Sequence, residues 1–130
     1  MKKLVMIMAC IIGLVDAATG TDNGPAEMIL ESTINRSPTP KQAIFPHGAH
    51  QGMLPCRECH HGKDSDGIQI PYTDGQKIEK CESCHNTGNT QMVKKLNTFK
   101  KAAHAKCKAC HFRTDKKVLG RCTTCHPKKK

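Results

Sequence analysis

The stretch FPHGAHQGMLPCRECHH, residues 45–61, holds four histidines, His47, His50, His60 and His61, and two cysteines, Cys56 and Cys59. At its centre CRECH sets two thiols with two residues between them and an imidazole directly behind. The unit recurs as Cys81-Glu82-Ser83-Cys84-His85, Cys107-Lys108-Ala109-Cys110-His111 and Cys122-Thr123-Thr124-Cys125-His126. Every copy is C-x-x-C-H, the attachment signature of c-type haem. Two thiols on one turn can each add to a haem vinyl group, and the next residue's imidazole reaches the iron from the same side. Four such units predict four haem c groups, with the eight cysteines as anchors and His60, His85, His111 and His126 as axial ligands.

Zinc and disulfides are the competing uses for these cysteines. Paired C-x-x-C units can close a tetrahedral thiolate site, and an exported chain with an even cysteine count can form a disulfide framework. Neither explains the histidines. With eight histidines in 130 residues, finding one by chance behind all four pairs is roughly a one in 10⁵ event, whereas the haem signature requires it. Composition agrees, because aromatic residues make up 3% of the chain and Trp is absent. One small domain with so little to bury needs a disulfide, metal or cofactor to supply its interior.

Residues 1–17 read as a secretory signal: Lys2 and Lys3 precede the apolar run Leu4 to Val15, and Val15-Asp16-Ala17 offers a cleavage point. About twelve apolar residues fall short of the roughly twenty that span a bilayer. The expected mature domain is 18–130, without stable membrane insertion, and Cys10 is removed with the signal. A cleaved signal of this kind predicts export from the cytoplasm.

Four irons with one motif histidine each leave four axial positions, and the remaining histidines are also four: His47, His50, His61 and His104. Methionine is the alternative ligand, but only Met28, Met53 and Met92 lie beyond the signal, and three cannot serve four irons. His61 follows His60 directly, so it cannot swing to the opposite face of that residue's haem and must serve a neighbour. His47 and His50, three apart on a helical turn, lie on one side of it and suit two different haems. The expected architecture is a small, mostly irregular multihaem cytochrome with a few short α-helices and room for one short β-hairpin, wrapped around a four-haem core.

These residues resemble the class III tetrahaem cytochromes c, the cytochrome c3 family. That pattern runs F-x-H-x-x-H, then C-x-x-C-H-H, then three further attachment motifs with a histidine ahead of the third. Here it is Phe45 to His50, Cys56 to His61, and the motifs at Cys81, Cys107 and Cys122 with His104 ahead of Cys107. The resemblance spans residues 45–126. It implies that His47 shares an iron with His60, His61 with His85, His50 with His111, and His104 with His126. All four motifs are short here, whereas some members lengthen the second and fourth. The brief gap from His104 to Cys107 is similar to trihaem relatives, which lack the second haem that Cys81, Cys84 and His85 provide for here.

Between the motifs, Val93, Leu96, Phe99 and Ala103 recur at helical spacing, predicting an amphipathic helix over 91–107 that carries His104. MILES (28–32) and QAIFP (42–46) flank the turn-rich NRSPTP and suit a hairpin. Glycine, proline and aspartate in HGKDSDGIQIPYTDGQ, 61–76, predict a loop.

An iron with both axial positions filled by protein has none for a substrate, which favours an electron carrier over an enzyme. Two imidazoles predict low potentials. The resemblance implies a carrier in anaerobic respiration, taking electrons from a periplasmic hydrogenase or similar donor to a membrane-bound cytochrome complex. The alternative is an outer-sphere reductase of soluble metals or other extracytoplasmic acceptors. Residues 94–130 hold thirteen Lys or Arg and one acid, net +12, while 18–93 hold six and nine, net −3. The basic third is the expected docking face for redox partners. Without aromatic stacking platforms it is no nucleic-acid surface.

Overall fold

The structure, a computed structural model, describes residues 23–128. The expected signal sequence and its cleavage point lie outside the described residues, as do Lys129 and Lys130. Strands β1 (Met28–Leu30) and β2 (Ala43–Phe45) pair antiparallel with Met28 opposite Phe45 and Leu30 opposite Ala43, the hairpin expected from MILES and QAIFP. Chain direction then turns at Pro46 into α1 (His47–Gln51), which binds back to the N-terminal segment through Gly48 N–H on Ala26 O at 2.8 Å. A Cβ on Gly48 would press within 3.3 Å of Ala26, so glycine lets this turn lie against residues 25 and 26.

The first attachment motif starts in a 3-10 turn at Cys56–Glu58. It leads into β3 (His61–Lys63), which pairs antiparallel with β4 (Gln69–Pro71). This second hairpin replaces the loop expected there. Asp64 makes it: its Oδ1 accepts from the N–H groups of Asp66 and Ile68 at 3.0 and 2.8 Å, and Gly67 supplies the positive φ of 80° that a tight connection requires. Pro71 stands at the strand end, where its missing N–H costs no ladder bond. The aspartates and glycine mark the turn of a hairpin whose strands are only three residues long.

A second 3-10 turn, Cys81–Ser83, opens the second motif. The helix expected from residue 91 starts later: 91–97 form turns and α2 covers Phe99–Ala103. Thr98 is the reason, since its extended backbone (φ −149°, ψ 151°) and its Oγ1, accepting from Lys101 N–H at 3.2 Å, make it the N-cap. Val93 accordingly remains 53% exposed. The helix then runs further than expected, through a π-helical stretch, His104–Lys108, into α3 (Ala109–Asp115) without a break. A single turn, α4 (Cys122–Cys125), carries the last motif.

No apolar side chain among the described residues is buried. The chain is made of short turns, two small hairpins and one longer helix, and the interior that holds them is not made of Leu, Ile or Phe.

Candidate functional site

The C-x-x-C-H turns share a geometry. An extended residue leads in, at Pro55, Lys80 and Arg121. The histidine N–H then closes on the first cysteine's carbonyl: His60 on Cys56 at 2.9 Å, His85 on Cys81 at 2.8 Å and His126 on Cys122 at 2.9 Å. Cys59 and Cys84 have nearly the same torsions, φ −115° ψ −38° and φ −114° ψ −37°. This i to i+4 closure puts the first thiol and the imidazole on one side of the turn. The third motif departs from the pattern, because Cys107, Cys110 and His111 ride inside the continuous helix.

Each motif histidine faces one histidine from outside the motifs. Ring centres are 6.3 Å apart for His47 and His60, 6.0 Å for His61 and His85, 6.2 Å for His50 and His111, and 6.2 Å for His104 and His126. These are the four couples the resemblance implies. A metal midway between two imidazoles needs about 2 Å to each nitrogen and about 1 Å more to each ring centre, about 6 Å in all. Ordinary aromatic contact tolerates about 4.5–7 Å and gives no reason for a one-to-one match within such a narrow spread.

Backbone carbonyls fix the outer nitrogens. Nδ1 of His47 lies 3.1 Å from Pro25 O, that of His50 2.9 Å from Pro46 O and that of His61 3.1 Å from Gly62 O. Nδ1 of His85 is 2.9 Å from Leu96 O and that of His126 2.9 Å from Gln42 O. A carbonyl accepts only, so each contact places a proton on Nδ1, and in the neutral ring Nε2 is then the nitrogen that can bind a metal. Burial first, then the positive field of His47 and His61 on His60 and of His126, Lys100 and Lys108 on His104, pushes these two rings below the ordinary imidazole value, which also favours the neutral ring. Burial raises the Cys59, Cys81, Cys107 and Cys125 thiols above the ordinary cysteine value.

A cleft of about 300 Å³ opens between the first two motifs, lined by Cys59, His60, His61, Cys81, His85 and Leu96 among others. Thiols, facing imidazoles with free Nε2 atoms and a partly apolar cleft are a donor set that fits haem c. The carbonyls were invisible to sequence reasoning because main-chain oxygens carry no residue signature. Glu82 was also missed. It is the one buried charged residue among those described, and its partners lie 48–50 positions away in the chain.

Residues 25–126 match the class III cytochrome c family model, and the chain belongs to that family. It is therefore a multihaem electron carrier with covalently bound haem c, and not an enzyme. Among characterised relatives it is similar to cytochrome c3 of Desulfovibrio desulfuricans, at 30% identity over 82% of this chain and 98% of that one. It is likewise similar to cytochrome c3 of Maridesulfovibrio salexigens, at 32% identity over 83% and 99%. No solved structure gives a significant match. No helix among the described residues is long and apolar enough to cross a membrane.

Proposed function

We propose that the chain is a periplasmic, low-potential carrier holding four haem c groups, each between two histidines. The ligand sets are His60 with His47, His85 with His61, His111 with His50, and His126 with His104. The covalent anchors are Cys56 and Cys59, Cys81 and Cys84, Cys107 and Cys110, and Cys122 and Cys125. The observation that carries this reading is the one-to-one coupling of motif and non-motif histidines at 6.0–6.3 Å.

Bound haem supplies a one-electron couple. The chain's part is to fill both axial positions, which denies substrates an open coordination site, and to hold the imidazoles through Nδ1 on main-chain carbonyls. Such second-shell bonds raise ligand basicity, which favours ferric iron and a low potential. Donor and acceptor are redox proteins, a hydrogenase on one side and a membrane-bound cytochrome complex on the other, that dock at the lysine-rich C-terminal face. Lys100, Lys106, Lys108, Lys116 and Lys117 are exposed there. Lys101 differs: its Nζ donates to Lys94 O at 2.6 Å and Asn97 Oδ1 at 2.7 Å, so it ties down the turn ahead of α2.

Intact mass and the reduced visible spectrum of protein made with a working cytochrome c maturation system test the reading. Four haems and a low-spin spectrum without methionine ligation are expected. Three or fewer haems, or a high-spin iron in the native protein, overturn it.

A further inference from the structure

Glu82 occupies the first position between Cys81 and Cys84, and only 8% of its surface is exposed. Its carboxylate accepts four hydrogen bonds. Oε2 takes Ser32 Oγ–H at 3.1 Å, Thr33 N–H at 2.8 Å and Ile34 N–H at 3.2 Å, and Oε1 takes Thr33 Oγ–H at 2.7 Å. Around this knot the same two segments join again, with Asn35 Nδ2 donating to Thr87 Oγ1 at 2.7 Å and Thr87 N–H to Asn35 Oδ1 at 3.1 Å. Asn86 Nδ2 donates to the carbonyl of Glu82 at 2.8 Å.

All four donors to the carboxylate are neutral. They hold it below the usual carboxylate range, the Thr33 hydroxyl most of all, although burial pulls the other way. A buried carboxylate is ordinarily matched with a cation, because leaving it unpaired is costly. Here the negative charge is stabilised by hydrogen bonds, and no cationic side chain among the described residues pairs with it. The other motifs offer no equivalent: Glu58 in the first is exposed, and the third and fourth carry Lys108-Ala109 and Thr123-Thr124 at these positions.

We propose that Glu82 is a potential-setting residue, a fixed negative charge within the second attachment loop that lowers the potential of the haem anchored by Cys81 and Cys84. Its second role is to pin segment 32–34 against that loop. A nearby negative charge favours ferric over ferrous iron, because the ferric form has one more positive charge. This inference rests on the proposed ligation of that haem by His85 and His61.

Charge and clamp separate cleanly in Glu82→Gln. The amide oxygen can take the place of Oε2 and accept the same three bonds, and the NH₂ can donate to Thr33 Oγ1, whose hydroxyl reverses role. Glu82→Gln should therefore keep four haems by intact mass and keep the Thr33 and Ile34 amides protected from hydrogen exchange. Resolved by NMR, the second haem alone should become easier to reduce, its reduced-to-oxidised ratio at fixed potential rising about fivefold, roughly 40 mV at 59 mV per decade. Glu82→Ala should show the same direction of shift and also lose protection at Thr33 and Ile34. Four haems with an unshifted second-haem potential in Glu82→Gln overturn the charge role alone. Unchanged exchange in Glu82→Ala overturns the clamp. A wild-type protein with no haem on Cys81 and Cys84 overturns the functional reading and this inference together.

Discussion

Up to about residue 93, the proposed ligands stand on short turns or at a strand end, pinned by bonds to other segments: His47 Nδ1–H donates to Pro25 O, His85 Nδ1–H to Leu96 O, and Ser32 and Thr33 donate to Glu82. From Phe99 to Asp115 one helix carries His104, Cys107, Cys110 and His111 on its own hydrogen bonds. The first arrangement depends on tertiary contacts that only the folded chain offers, the second on local geometry that survives small displacements. The charge divides similarly, with net −3 over 18–93 and +12 over 94–130.

Proline substitution should expose that contrast most strongly. Ala105→Pro interrupts the helix between His104 and Cys107 and should cost about 3 kcal/mol, with loss of haem at the third or fourth position by intact mass and a lower Tm. Ser65→Pro, at the second position of the Asp64–Gly67 turn where proline is favoured, should stay within about 1 kcal/mol and keep every haem. A fully loaded Ala105→Pro protein with an unchanged Tm would show that the helix does not position these sites.

His61→Met tests the turn-based half. It should leave all covalent attachments in place, raise one haem's potential strongly, because methionine ligation does so, and perturb its neighbour modestly through the adjacent His60. A potentiometric titration that overlays wild type removes His61 from the ligand set.

The charge contrast predicts a kinetic effect. Lys100→Glu with Lys106→Glu should slow electron uptake from an acidic partner about three- to tenfold at low salt, and the gap should close as salt shortens the Debye length below about 8 Å. Equal rates at low salt would return these lysines to a solubility role. Lys101 is unsuitable for this test because replacing it also frees the Lys94–Asn97 turn.

The smallest effect is the pH dependence of the Glu82 clamp. Its folded pKa is depressed, so its contribution is fully present above the unfolded carboxylate value, about 4.3, and is lost as pH falls through the lower folded value. Thr33 and Ile34 amide protection should fall over that acid range in wild type. Glu82→Gln should lack the step, and identical acid profiles would contradict it.

The covalent chemistry was legible because four C-x-x-C-H units carry it in consecutive residues, and the His47–His50 turn was legible because both histidines sit on one short helix. The helix start was misplaced: apolar spacing through Val93 and Leu96 satisfied the helical period, but Thr98 offered a cap inside the pattern and the backbone took it. The second hairpin was hidden because Asp64, Asp66 and Gly67 dominate its composition, although Ile68, Ile70 and Tyr72 alternate as a strand should. Glu82 gave no local signal at all. A glutamate between two cysteines reads as a solvated spacer until segment 32–34 folds over it.

The four histidine couples are linked in series by very short pieces of chain. Adjacent residues His60 and His61 join two of them, the turn from His47 to His50 joins the next, and the helix from His104 to His111 joins the last. Under the proposed ligation those joints set the spacing of the redox centres, and the intervening loops do not. The exposed stretch 37–41, between β1 and β2, can accordingly gain or lose length with little change in how far an electron must travel, whereas one residue inserted between His60 and His61 would alter that path throughout. The protein can be lengthened or tagged at that stretch and still conduct.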